Sequence, residues 1–221
     1  KNNMRGAAQL SRRTETYRDE IAARVYEAYE GALQRANAVD FDDLLLKTFQ
    51  LLEGHPEMLE KYQERFEHLL VDEFQDTNAL QFQVARLLAM KSRNICVVGD
   101  PDQSIYSWRH ADPTNLTDFQ STFKNAKIVT LDQSYRSTQI ILEAADAVIS
   151  NNDGRMKKTL WTENSRGTRI TVAEAYNEEE EASLVLKAAT DLKSKDGIGR
   201  NEVAIMYRVN AQSRAFEVAC N

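Results

Sequence analysis

Three stretches of the chain combine carboxylates, amides, aromatic rings and arginines at spacings suited to phosphate chemistry. The first is Leu69-Leu70-Val71-Asp72-Glu73, followed by Phe74-Gln75-Asp76-Thr77-Asn78. An apolar strand ending in two acids delivers both carboxylates where the chain surfaces, and open α/β sheets bind ligands beyond their C-terminal strand ends. A carboxylate there suits Mg²⁺ and the phosphates it carries. Its neighbour can polarise a water for in-line attack. The same two acids also fit a plain reading, as polar residues where a strand meets solvent.

The second stretch is Gly99-Asp100-Pro101-Asp102-Gln103-Ser104-Ile105-Tyr106-Ser107-Trp108-Arg109. It again follows an apolar run. An uncharged amide such as Gln103 can hydrogen-bond a terminal phosphate and register its loss. Tyr106, Trp108 and Arg109 place two flat rings and a guanidinium within four residues, the groups on which single-stranded bases stack. A core Trp beside a capped loop is the alternative. The third stretch is Leu131-Asp132-Gln133-Ser134-Tyr135-Arg136-Ser137-Thr138. Tyr135 could stack on a purine, and Arg136 could reach phosphate oxygens with a planar fork of donors. An N-cap with an exposed Arg reads the same residues without a ligand.

These stretches need a scaffold, and the apolar periodicity predicts one. Helices are expected over residues 12–36, over 41–54 behind an Asp40 N-cap, from Pro56 to about Phe66, and over 78–91, 115–123, 138–150, 178–192 and 212–219. Continuous apolar runs predict buried strands at 68–71, 95–98, 128–131, 170–173 and 203–207. Strands alternating with helices imply an α/β fold, a parallel sheet with helices on both faces. Residues 151–168 are polar and read as a loop. The acidic run Glu178–Glu181 suits a helix N-terminus, which the helix dipole favours.

Composition narrows the class. The chain has 221 residues, 42% of them hydrophobic and 28% charged, with a net charge of −6. This is a globular composition, neither disordered nor strongly basic. Acidity concentrates in residues 36–134, where sixteen carboxylates face nine cations. No apolar run approaches 18 residues, so no membrane span is expected. Lys1-Asn2-Asn3-Met4-Arg5 has no apolar stretch behind it, so no secretory signal is expected either. Cys96 and Cys220 make no disulfide framework, and three scattered His give no zinc spacing. A reducing, cytoplasmic setting is expected.

In combination and in order, the three stretches closely resemble motifs II, III and IV of the UvrD/Rep/PcrA helicases of superfamily one. The likeness extends upstream to Val39-Asp40-Phe41-Asp42-Asp43-Leu44. Downstream it runs through Leu160-Trp161-Thr162-Glu163-Asn164 to Tyr207-Arg208-Val209-Asn210-Ala211-Gln212-Ser213-Arg214. It covers nearly the whole chain. The resemblance implies RecA-like P-loop NTPase sheets and an ATP-dependent DNA helicase that moves 3′→5′. By position, Asp72 would ligate Mg²⁺, Glu73 would be the catalytic base and Gln103 would sense the γ-phosphate of ATP. Tyr135 would stack on adenine, and Arg136 would contact the γ-phosphate. Tyr106, Trp108, Arg109, Arg208 and Asn210 would contact single-stranded DNA, with duplex-junction DNA as the substrate unwound. Two positions depart from the family pattern: Ser107 and His110 stand where Gly is common.

The resemblance also implies a division of the chain. Residues 1–37 would be the tail of a helical 1B insertion, residues 38–134 the later part of RecA-like domain 1A, and residues 135–221 the start of domain 2A. None of the eight Gly is followed by Lys, so the phosphate-cradling Gly-Lys-Ser/Thr loop does not occur in these 221 residues. The chain is therefore expected to be a piece of a motor, inactive alone. Two other readings remain open here: a piece of a RecB/AddA-type helicase–nuclease, or a stand-alone DNA-binding module without catalysis.

Overall fold

The computed structural model describes residues 16–112, 114–152 and 158–220. Contacts divide the chain into two compact units, residues 1–134 with 144–161, and residues 135–143 with 162–221.

The first unit begins its described part with α1 (Tyr17–Arg35), capped by Thr16 and Asp19 in a reciprocal box. The helix expected from residue 12 is seen from Tyr17, because residues 12–15 lie outside the described residues. Next is α2 (Phe41–Gly54). As expected, Asp40 caps it, accepting from the Asp43 backbone N–H at 2.8 Å. Pro56 opens α3 (Pro56–Arg65), where a missing N–H costs nothing. β1 (Leu69–Val71) follows, then α4 (Ala79–Ala89), capped by Asn78, then β2 (Ile95–Val97) and α5 (Asn115–Thr122).

β1 and β2 pair in parallel, with Leu69 opposite Ile95, Leu70 opposite Cys96 and Val71 opposite Val97. α4 is the crossover that a parallel pair requires. Leu69, Val71, Ile95 and Val97 turn inward onto Phe74, Phe82, Ala89, Phe119 and Phe123. The rings of Phe82 and Phe119 each meet Phe74 edge-on, with centroids 5.8 Å apart, an arrangement favoured by the ring quadrupoles. Phe74 is fully buried. The loop just past β1 is thus anchored directly to the core through Phe74.

The second unit contains α7 (Glu178–Asp196) packed on α8 (Ser213–Cys220). Between the first-unit elements and α7 runs α6 (Gln139–Ile149), whose residues 139–143 belong to the second unit and whose remainder belongs to the first. The acidic run sits in the first turn of α7 behind the Asn177 cap, and Gly197 ends the helix at φ 72°. Tyr207 stacks on Phe216 with centroids 6.4 Å apart.

Three expected strands are absent among the described residues. Residues 128–131 form no ladder, and Ile128, Val129 and Leu131 are exposed; one isolated bridge, Gln133 to Trp161, lies just beyond them. Residues 170–173 and 203–207 are likewise unpaired, with Val172 and Met206 exposed. An apolar run specifies a preference for burial, whereas a strand exists only through a hydrogen-bonded neighbour. Helices on both sheet faces are also not seen. Leu70 is 77% exposed and Cys96 beside it is exposed, so among the described residues the sheet is covered on one face.

Candidate nucleotide and nucleic-acid site

Beyond Val71 the chain makes a sharp change of course. Glu73 adopts a left-handed conformation, φ 51° and ψ 41°, and opens the short turn Phe74–Asp76. Such a conformation in a non-glycine residue costs about 1–2 kcal/mol, so it has to be held. The Asp72 carboxylate accepts the Glu73 backbone N–H at 2.9 Å. The Gln75 side chain donates to Glu73 Oε2 at 2.7 Å. Asp72 and Glu73 are both exposed, and the strand end brings the two acids together at one surface, as expected.

Beyond β2, Asp100 begins a second network. Its backbone N–H donates to Gln75 Oε1 at 3.0 Å. Gln75 is 1% exposed, and its amide joins the two strand-end loops. The assignment of that amide is fixed by its partners, since a carboxylate only accepts and a backbone N–H only donates. Gly99 makes the approach possible: a Cβ there would lie 2.7 Å from Gln75 Oε1 and 3.2 Å from the Gln75 backbone nitrogen.

The Asp100 carboxylate has three kinds of donor. Gln103 Nε2 donates to Oδ2 at 2.8 Å, and the Asp102 backbone N–H donates to Oδ1 at 3.0 Å. The Lys158 ammonium also pairs with Oδ1, and it reaches Asp102 Oδ2 at 3.2 Å. Burial pushes the Asp100 carboxyl up, but the hydrogen bonds from Lys158, Gln103 and the Asp102 backbone outweigh it and leave the group below its usual value. A continuous chain of hydrogen bonds therefore runs Glu73–Gln75–Asp100–Gln103, with Lys158 at its side. Gln103 itself is exposed at the end of the turn Pro101–Gln103.

The expected strand-contacting residues follow on the same loop. Tyr106 and Trp108 lie with ring centroids 6.2 Å apart and planes tilted by 56°. Trp108 is 62% exposed, which removes the core reading of this ring. Ser107 opens the turn Ser107–Arg109, and the side chain of Arg109 lies outside the described residues. His110 closes the turn at φ 65°. That is the left-handed region open to Gly at no steric cost, a physical reason for the Gly that the resemblance leads one to expect at this position.

In the second unit, Tyr135 is 81% exposed and Arg136 is exposed. Their backbone is braced from 162–167. Asn164 Nδ2 donates to the carbonyls of Tyr135 and Ser137 at 3.3 and 3.2 Å. Gly167, at φ 80°, lies so close to Thr138 that a Cβ would be 2.4 Å from its hydroxyl oxygen. Arg208 and Asn210 are exposed in the same unit. The Gln212 side chain fixes the backbone between them, accepting the N–H groups of Arg208 and Val209 at 2.9 and 3.0 Å.

Sequence reasoning assigned no role to Gln75, Asp100, Lys158 or Asn164. Gln75 and Asp100 lie inside the first two stretches, so an amide or carboxylate flanking an assigned residue was the available signal. Lys158 carried none, because its partner is 58 positions away.

In the first unit, the exposed Asp72 and Glu73 carboxylates are hard oxygen donors of the kind Mg²⁺ takes, and the Gln103 amide can donate to a phosphate. In the second unit, the exposed Arg136 offers a guanidinium of the kind that pairs with phosphate. Among the described residues, no helix is long and apolar enough to cross a membrane.

The UvrD/REP helicase N-terminal domain family matches residues 1–124, and the UvrD-like helicase C-terminal domain family matches residues 129–221. The chain is 44% identical over 217 residues to the ATP-dependent DNA helicase PcrA of Leuconostoc citreum, covering 98% of this chain and 29% of that protein. It is equally similar to the proteins of the same name from Staphylococcus aureus and Staphylococcus epidermidis, covering 30% of each. The chain thus spans under a third of the length of these curated relatives. With both halves of the chain matched by the family's two domains, and 44% identity over 98% of its length to these helicases, the chain belongs to the UvrD/REP helicase family.

Proposed function

We propose that these 221 residues form part of an ATP-dependent DNA helicase that translocates 3′→5′ along single-stranded DNA and opens duplex junctions. In this reading, residues 1–37 end a helical 1B insertion. Residues 38–134 complete a RecA-like P-loop domain 1A, and residues 135–221 begin domain 2A. The relatives named PcrA support the activity, and a cytoplasmic location goes with that reading.

Glu73 takes the proton from the attacking water. Asp72 would hold Mg²⁺, and the ion would supply charge neutralisation at the phosphates. Gln103 donates to the γ-phosphate. Tyr135 stacks on adenine, and Arg136 contacts the γ-phosphate as charge develops on it. Tyr106 and Trp108 take bases on their faces, Arg109 supports that groove, and Arg208 and Asn210 hold the strand's backbone.

The observation that carries this reading is the hydrogen-bonded chain Glu73–Gln75–Asp100–Gln103, on a loop whose Trp108 is five residues further on. It ties the acids after β1 to Gln103, at the start of the loop that carries Tyr106 and Trp108. The 221 residues alone, with no Gly-Lys-Ser/Thr, do not turn over ATP in this account.

The test uses the protein expressed from the full reading frame around this chain. Glu73→Gln keeps size and hydrogen bonding but removes basicity. ATP binding persists, and DNA-stimulated turnover falls by about 10²–10⁴. Normal kcat in this variant would remove Glu73 as the base.

A further inference from the structure

We propose that Lys158 is a positioning residue for Gln103, acting through Asp100; this rests on the reading of Gln103 as the γ-phosphate contact. Nothing in the sequence motifs assigns Lys158. It belongs to the polar stretch ahead of Leu160, far from both strand-end loops in the sequence.

The geometry is specific. Lys158 pairs with Oδ1 of Asp100, and Gln103 occupies Oδ2 of the same carboxylate at 2.8 Å. Lys158 also reaches Asp102 at 3.2 Å, so one ammonium spans the turn Pro101–Gln103 from its first side to its middle. The lysine and both aspartates are largely withdrawn from solvent, at 18, 25 and 11% side-chain exposure. Ion pairs in such surroundings are screened far less than those on an open surface.

The consequence concerns the two ends of the Gln103 amide. An ionised carboxylate only accepts, so it selects the NH₂ end of Gln103 and aims the carbonyl oxygen and the second N–H elsewhere. Lys158 shares Oδ1 with the Asp102 backbone N–H and bridges to Asp102 Oδ2, so the ammonium ties the carboxylate to the turn and leaves Oδ2 to Gln103. Without the lysine, the Asp102 backbone N–H alone holds Oδ1, the carboxylate is less firmly oriented, and Gln103 spends less time in the orientation from which it meets the phosphate. Binding of ATP as a whole does not depend on this contact. The chemical step does, because an amide out of place is missing when charge builds on the transferring group.

The experiment measures steady-state, DNA-stimulated ATP hydrolysis and nucleotide-free oligo-dT affinity in the protein expressed from the full reading frame. The variants are Lys158→Met, Lys158→Arg, Gln103→Ala and the double variant Lys158→Met/Gln103→Ala. Lys158→Met lowers kcat roughly tenfold, within the range of coupling between residues that share one hydrogen-bond network. KM for ATP and oligo-dT affinity stay within about twofold. Lys158→Arg restores most of kcat, and the double variant is no slower than Gln103→Ala alone. If Lys158→Met does not fold, Lys158→Gln carries the same comparison. Additive losses, an unchanged kcat, or a joint fall in oligo-dT affinity and melting temperature would each overturn the proposal and leave the helicase reading standing. A wild-type protein with no DNA-stimulated hydrolysis would overturn the helicase reading itself, and this inference with it.

Discussion

Gln75 and Asp100, 25 positions apart, are joined by a hydrogen bond in which the Asp100 backbone N–H donates to Gln75 Oε1 at 3.0 Å. The bond ties the loop after β1 to the loop after β2, and the other end of the same amide holds Glu73. Replacing Gln75 by Leu keeps the volume and removes both contacts. The Asp100 N–H is then left without this acceptor at a part-buried position, costing about 1 kcal/mol, the low end of the penalty for an unmade bond. Thermal melting should show the loss, and amide hydrogen exchange should place the lost protection at Asp100. Unchanged exchange there would show that the bond does not hold the loops.

Gly99 sets the spacing of those loops. Gly99→Ala puts a methyl group 2.7 Å from Gln75 Oε1, with backbone nitrogens of Gln75 and Phe74 at 3.2 and 3.3 Å. The side chain could swing away, but only by giving up its bond to Asp100, and the backbone cannot yield. A cost of about 1–3 kcal/mol is expected for such overpacking. Wild-type melting behaviour would show that the loops separate freely.

Trp108 is exposed, so its removal creates no cavity. Stacking on a base is worth about 1–3 kcal/mol, and Trp108→Ala should weaken oligo-dT binding by roughly 5- to 150-fold at unchanged melting temperature. Quenching of Trp fluorescence by oligo-dT, alongside thermal melting, checks both. A large fall in melting temperature at unchanged affinity would return the ring to a packing role.

The Asp100 carboxyl is held below its usual value by Lys158 and Gln103 against the opposing effect of burial. A depressed carboxyl stabilises the fold above its unfolded-state value, and that contribution is lost as pH falls through the depressed value. The stability difference between wild type and Asp100→Asn should therefore be full near neutrality and shrink below about pH 4. Urea midpoints measured from pH 7 to pH 3 test the sign. A difference that grows with acidity would contradict it.

The helices and the two paired strands were legible in the sequence because their signals are local. Asp40 and Asn177 cap helices that begin at the next residue, and Pro56 opens one. Residues 128–131 are as rich in β-formers as residues 95–97 and yet form no ladder, because pairing depends on a neighbour that the run itself does not specify. Within the site, the resemblance placed Asp72, Glu73 and Gln103 on the loops where the structure has them. It did not disclose the contacts between those loops. Gln75 meets Asp100 across 25 residues, and Lys158 meets it across 58; no periodicity or spacing rule reaches that far. His110 is the opposite case: the departure from Gly is visible in the sequence, whereas the left-handed backbone that would suit Gly there appears only in the folded chain.

Under the proposed function, the loop from Gln103 to Trp108 links the state of the γ-phosphate to the grip on a DNA strand. Linkage of this kind is reciprocal and typically changes affinity by about 5- to 150-fold. The direct measurement is oligo-dT affinity with and without a non-hydrolysable ATP analogue, in wild type and in Gln103→Ala, using the protein from the full reading frame. The account predicts a wild-type affinity that shifts with nucleotide by a factor in that range. It predicts a Gln103→Ala protein that binds each ligand separately but shows no shift. An equal shift in both proteins would contradict the claim.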